Sequence, residues 1–141
     1  MIDAELVTRK MLLITHDLQR LRPVADKDLA AYLASDTDEL VAERCLERII
    51  GRMIDINYHL LTAAGHPPPP DYHQSFTELA TIGVLDHTFA LRLAACAGLR
   101  NRITHEYADL DPQKVHEALG AALDDIPIYL ERIDGYLVRE S

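Results

Sequence analysis

The run DELVAERCLERIIGRMIDINYHLLTAA, residues 38–64, decides the fold. Leu46, Ile49, Ile50, Met53, Ile56 and Leu60 fall on one side at about 100° per residue, which predicts a long amphipathic helix over Asp38–Ala64. Ser35-Asp36-Thr37-Asp38, dense in capping residues, marks its start. The opposite side carries Arg44, Arg48, Arg52, Asp55 and His59, all within about 80° of one another on the same wheel. Arginines at i, i+4 and i+8 make a positive stripe suited to a phosphate backbone or to a partner's carboxylates. It is equally compatible with an ordinary solvated face, because Glu43 and Glu47 partly neutralise it.

Working outward, the upstream segment reads as a helix from Ile2 to Leu21. Leu6, Leu13, Leu18 and Leu21 recur at near-helical spacing with Met11 and Ile14 among them, and Pro23 is expected to close it. Asp26–Leu33 fits a short second helix. Downstream, Gly65 ends the long helix and the four prolines Pro67–Pro70 force an extended connection. Ser75-Phe76-Thr77-Glu78 matches a capping box, which predicts a short helix over Ser75–Ile82 broken by Gly83. Asp86 is a fitting N-cap for the next helix. Asp111-Pro112 opens the last one, which runs towards Val138 with Val115, Leu119, Ile126 and Ile133 on its apolar face and an expected kink at Pro127. No strand pattern exceeds a few residues. The expectation is an all-α, four-helix-bundle-like fold with one or two additional short helices.

The length of 141 residues fits one domain, residues 1–141, large enough to bury a core. No apolar run approaches the roughly 18–20 residues needed to span a bilayer, and Asp3, Glu5, Arg9 and Lys10 interrupt any signal-peptide pattern. The two cysteines, Cys45 and Cys96, fall inside predicted helices and read as small buried thiols in a reducing compartment. A cytoplasmic protein is expected. The formal net charge of −9 argues against general affinity for nucleic acid, so any such function must gather its positive charge locally. Arg44, Arg48, Arg52, Arg92, Arg100 and Arg102 are the candidates for that groove. His59, His66 and His73 recur every seven residues, yet zinc pairs sit closer and the prolines separate these three. No metal and no cofactor are expected.

Chemistry concentrates in Arg100-Asn101-Arg102-Ile103-Thr104-His105-Glu106-Tyr107. Asn101 and His105 are i, i+4 neighbours and share a face. Arg100 lies about 140° from His105 and shares the apolar side with Phe89, Cys96, Ile103 and Tyr107. A continuous helix therefore does not gather the four polar groups. Either the helix ends or distorts near Thr104, or a second copy completes the site across a dimer axis. The blander account makes Arg100 and Arg102 partners of the helix C-terminus and His105 a surface histidine.

The spacing Arg-x4-His-x-Tyr (Arg100, His105, Tyr107), preceded by Ala97-Gly98-Leu99, resembles the signature of HEPN-domain ribonucleases, most closely the HepT toxins of HepT/MntA pairs. The element Asp55-Ile56-Asn57-Tyr58-His59 is similar to one in the family's third helix, and the likeness covers nearly the whole chain. The resemblance implies a homodimeric, metal-independent endoribonuclease toxin of a type VII toxin–antitoxin system, its cleft built by pairing the signature helix. His105 would take the proton from a ribose 2′-hydroxyl. Arg100 would hold the phosphate oxygens, with Asn101 orienting His105 or the phosphate. The leaving-group acid is either the dimer-related His105 or water, and DNA, lacking the 2′-hydroxyl, should survive. The resemblance also implies an MntA-like nucleotidyltransferase antitoxin that attaches AMP to Tyr107, which requires the helix to end before that residue. A non-catalytic HEPN bundle that binds nucleotide or its partner enzyme as a scaffold is the alternative.

Overall fold

The computed structural model describes the backbone of all 141 residues and the side chains of all but Tyr107. Six α-helices follow one another: α1 Ala4–Ala25, α2 Leu29–Leu33, α3 Asp36–Ala63, α4 Tyr72–Thr77, α5 His87–His105 and α6 Pro112–Arg139. Short 3₁₀ turns follow α4 at Glu78–Ala80 and α5 at Tyr107–Asp109. The four long helices form the bundle, and α3 is its hub, packing against each of the other five. None is long and apolar enough to cross a membrane, among the described residues.

The hub forms where its periodicity predicts. Ser35 caps α3 by accepting from the Asp38 amide at 3.2 Å, and Asp36, Asp38 and Glu39 complement the positive end of the helix dipole. Leu46, Ile49, Ile50, Met53, Ile56 and Leu60 are all buried. At the far end Gly65 takes φ +79, and the amides of Gly65 and His66 turn back to the carbonyls of Thr62 and Leu61 in a Schellman closure. The Tyr58 hydroxyl then donates to the Pro69 carbonyl at 3.0 Å, fastening the proline connection to α3.

Two boundaries differ from expectation. Pro23 does not close α1, which continues to Ala25 with Pro23 inside its last turn. A proline that close to the C-terminus gives up only one intrahelical bond, and the Asp26 amide still reaches the Arg22 carbonyl at 3.0 Å. Nor does Ser75 open a helix. Asp71 caps α4 one turn earlier, accepting from the Gln74 amide, while Ser75 is buried within it. The capping-box pattern is matched by the residues, but the Ser75 hydroxyl is engaged elsewhere. Pro127 lies inside α6, which is assigned without interruption.

That hydroxyl belongs to a buried polar chain. Tyr129 Oη of α6 donates to Asn57 Oδ1 at 2.7 Å, Asn57 Nδ2 donates to Ser75 Oγ at 3.2 Å, and Ser75 donates to the Tyr72 carbonyl at 2.7 Å. Burial drives the Tyr129 phenol well above its ordinary range, so it serves as a permanent donor. Asn57→Ala removes one partner from each of two buried hydroxyls, which keep the Met53 and Tyr72 carbonyls, and leaves a small void. It is expected to cost about 2–4 kcal/mol, read as a lowered urea midpoint at unchanged m-value.

Candidate active site

The signature sits at the C-terminal end of α5. Asp86 caps the helix by accepting from the Phe89 amide at 2.8 Å, and Phe89, Leu93, Ala97 and Ile103 anchor one side in the core. The helix runs unbroken through Thr104 to His105, where Glu106 caps it by donating its amide to the Arg102 carbonyl at 2.8 Å. It therefore does not end early enough to bring Arg100 and His105 onto one face. It does end before Tyr107, as a modifiable tyrosine requires; the Tyr107 side chain itself lies outside the described residues.

Arg100 turns inward, into the groove between α5 and α3. Its Nε is buried and meets no acceptor among the described residues. The guanidinium lies over the Tyr72 ring, 5.5 Å from its centroid, and its Nε runs beside Gly51 of α3. A buried N–H without a partner costs roughly 1–3 kcal/mol, while the half-buried residue as a whole still lines the groove. Around it open about 400 Å³ of groove lined by Arg44, Arg48, Arg52, Glu47 and Asp55. The stripe read from the α3 wheel and the signature arginine thus share one concave surface.

The groove's charges are partly tied down. Arg44 donates to Glu47 at 2.7 Å, and the Thr104 hydroxyl donates to the other Glu47 oxygen at 3.0 Å, which pins the end of α5 to α3. These bonds, Arg44's first, hold the Glu47 carboxyl below its ordinary range. Asp55 meets Lys10 of α1 at 3.2 Å. Beneath the stripe lies a residue that the sequence reading passed over. Asp17 of α1 is 0% exposed, with Arg20 at 2.7 Å, Arg52 at 2.9 Å and Arg48 at 3.3 Å. The signal was present: an acid at the core-facing position between Ile14 and Leu21, three residues after one and four before the other. In all, five arginines and Lys10 face three carboxylates, a local positive surplus in a chain of net charge −9.

The remaining candidates fall elsewhere. Asn101 and His105 are exposed on the other flank of α5, in line with the exposed Leu91, Ala95 and Gly98. Arg102 and Arg92 do not join the groove. They border a separate, mainly apolar cleft of about 640 Å³ between α5 and α6, where Arg92 makes a two-pronged bond to Asp125 at 3.2 and 3.1 Å. Cys96 lines that cleft half-buried, its thiol pushed up to about 11 by desolvation and then by Asp125, whereas Cys45 is buried; both are free. His59 accepts from the Asp3 amide at 2.9 Å and so helps to cap α1. His66 bonds the Pro67 carbonyl at 2.7 Å and His73 is exposed, so the sevenfold histidine spacing does not converge.

One protomer therefore offers a cationic groove on one flank of a helix and an imidazole on the other. Such a surface can bind a polyanion and position its phosphates. Proton transfer at a phosphate held by Arg100 calls for a second imidazole from outside the groove.

Comparison with known proteins gives the family. The family model Ribonuclease HepT-like matches residues 14–133. The tRNA nuclease HepT of Aphanizomenon flos-aquae (strain 2012/KM1/D3) is 34% identical over 137 residues, covering 97% of this chain and 93% of that protein. Among solved structures, the tri-AMPylated Shewanella oneidensis HEPN toxin in complex with MNT antitoxin superposes with a TM-score of 0.84 at 24% identity, over 96% of this chain and 99% of that one. The cytosolic protein YutE of Bacillus subtilis, of unknown function, gives 0.85 at 17% identity, over 99% and 93%. With a family match that spans the bundle and a curated relative aligned along nearly its whole length, the chain belongs to the HepT-like ribonuclease family, with its all-helical HEPN fold.

Proposed function

We propose that residues 1–141 form a single HEPN unit that works as a homodimeric, metal-independent endoribonuclease, the toxin of a toxin–antitoxin pair. The observation that carries this reading is Arg100. This half-buried side chain lines a groove with Arg44, Arg48 and Arg52, its Nε buried without an acceptor among the described residues, at the end of the helix that exposes His105.

In the proposed reaction His105 removes the proton from a ribose 2′-hydroxyl. The 2′-oxygen attacks phosphorus while Arg100 neutralises the charge growing on the non-bridging oxygens. The bond to the 5′-oxygen breaks, leaving a 2′,3′-cyclic phosphate and a 5′-hydroxyl. The leaving oxygen takes its proton from the partner protomer's imidazole or from water. Pairing of α5 brings one protomer's His105 to the phosphate held by the other's Arg100, because within one chain the two lie on opposite flanks. The exposed stripe Leu91, Ala95 and Gly98, with small residues at two of its three positions, supports a close helix–helix approach there. Asn101, in line with His105, orients the imidazole or the phosphate.

Transfer RNA is the first substrate to test, after the activity for which the 34%-identical relative is named. The partner is an MntA-like nucleotidyltransferase that attaches AMP to Tyr107, as an AMPylated toxin bound to its antitoxin among the structural neighbours suggests. The phosphate charge added with AMP would repel an RNA substrate. RNA and nucleotide donor both place the pair in the cytoplasm.

The test is incubation of purified protein with transfer RNA and with single-stranded DNA in excess chelator. RNA is expected to be cut and DNA to remain intact. Strict dependence on added magnesium, or equal cutting of DNA, would contradict the proposal. Intact RNA together with an unmodified Tyr107 by intact mass would leave the non-catalytic scaffold.

A further inference from the structure

We infer that Asp17 is a positioning residue that fixes Arg48 and Arg52 as a preorganised clamp for an RNA phosphate flanking the one held by Arg100. The inference rests on the ribonuclease reading above and deepens it.

The geometry is unusual for a structural ion pair. One carboxylate, fully buried on α1, meets three guanidinium groups: Arg20 on its Oδ1, and Arg52 and Arg48 on its Oδ2. A single cation would satisfy its charge, and burying it at all carries a desolvation penalty. Three cations leave the cluster positive. Arg48 and Arg52 also stand four residues apart on α3, where like charges repel and ordinarily splay apart. Asp17 offsets that repulsion from below. It does not line the groove, but the two arginines do, so the carboxylate lies behind them and holds their guanidinium groups.

Each guanidinium carries five N–H donors; Arg52 donates one of them to Asp17, and Arg48 meets the carboxylate as an ion pair through Nε at 3.3 Å. The rest remain for the groove. The arginine side chains are 37% and 21% exposed, so most of the cost of ordering and desolvating them is met before RNA arrives. Arg44, tied to Glu47, and Arg100, over Tyr72, complete a row of four guanidiniums held from beneath or beside.

Three roles for Asp17 predict three different results. A positioning role makes Asp17→Asn weaken RNA binding. A purely electrostatic role makes it tighten binding, since a negative charge leaves a polyanion site. A purely structural role lowers thermal stability and leaves affinity per folded molecule unchanged. The experiment measures binding of a short fluorescent single-stranded RNA by anisotropy, in His105→Ala protein so that cleavage does not interfere. Asp17→Asn is made with Arg48 and Arg52 intact and again in an Arg48→Ala/Arg52→Ala background, each with its thermal midpoint.

We expect about tenfold weaker binding in the first background and less than about a twofold change in the second. Removing both arginines should also flatten the log–log salt dependence by about 1.4 for single-stranded RNA. Tighter binding with Asp17→Asn, or an equal loss in both backgrounds, would overturn the inference. If Asp17→Asn does not fold, Asp17→Glu runs the same cycle with charge conserved; weakened binding only where the arginines are present is again the supporting result, and no change overturns it. Absence of any RNA binding would remove the clamp and the ribonuclease reading together. Coupled binding without cleavage by the wild type would remove the ribonuclease reading alone.

Discussion

His105→Ala is expected to lower kcat for RNA cleavage by about 10²–10⁴-fold while leaving KM nearly unchanged. The imidazole is not one of the guanidiniums that line the groove, so in the proposed dimer it accepts a proton rather than holding the phosphate in the ground state. Its work begins only as the 2′-hydroxyl loses its proton. A group used only in the transition state lowers kcat and kcat/KM together when it is removed. His105→Ala also leaves the fold intact, because the residue is the last of its helix and makes no side-chain bond among the described residues. Single-turnover rates beside a thermal melt check both statements. A rise in KM at constant kcat would reassign His105 to substrate binding.

Arg100→Ala is expected to lower kcat/KM by about 10²–10³-fold, the scale for removing one donor to a developing oxyanion. Arg100→Lys should recover little of it. Lysine keeps the charge but loses the planar fork and its stacking on Tyr72, and its ammonium is a point charge on a flexible stem. The fold should tolerate either change, since the Nε has no acceptor among the described residues to lose. Steady-state kinetics of the three proteins decide the matter: full rescue by lysine would mean that net charge, not the guanidinium's geometry, is what the groove supplies.

How far these residues could be read from sequence depends on what each one answers to. The core of α3 was legible from Leu46 to Leu60 because a single helix obeys one period and one face must be buried. Asp86 and Asp111 were legible as caps because capping is decided within three residues. Pro23 and Ser75 misled for the complementary reason. Local rules name Pro23 a terminator and Ser75 a cap, but the packing of α1 against α3 and the Asn57–Ser75–Tyr129 chain are long-range facts. Tyr129 is fully buried on the same grounds: its phenol finds Asn57, 72 residues away in sequence.

The site divides in the same way. The Arg44, Arg48, Arg52 stripe and the inward turn of Arg100 both follow from helical wheels, but their meeting in one groove depends on how α5 crosses α3. Arg102, two residues from Arg100, was grouped with it by charge and is separated from it by helix geometry, facing α6 instead. Asp17 escaped notice because one acid in a core stripe has no meaning until its three arginines, from two helices, are seen together. The signature motif, by contrast, was recognisable as a pattern without the wheel explaining it. Arg100 and His105 remain on opposite flanks, which is why the proposed reaction pairs two copies of α5.

The central claim is cleavage by the 2′-hydroxyl with His105 as base, and the chemistry of the product ends tests it most directly. Transfer RNA cut by the wild-type protein in excess chelator should yield fragments ending in a 2′,3′-cyclic phosphate, each followed by a fragment beginning with a 5′-hydroxyl, as read by mass spectrometry. Fragments bearing 5′-phosphate and free 3′-hydroxyl ends would mean that water, not the ribose, attacks phosphorus, and would contradict the account.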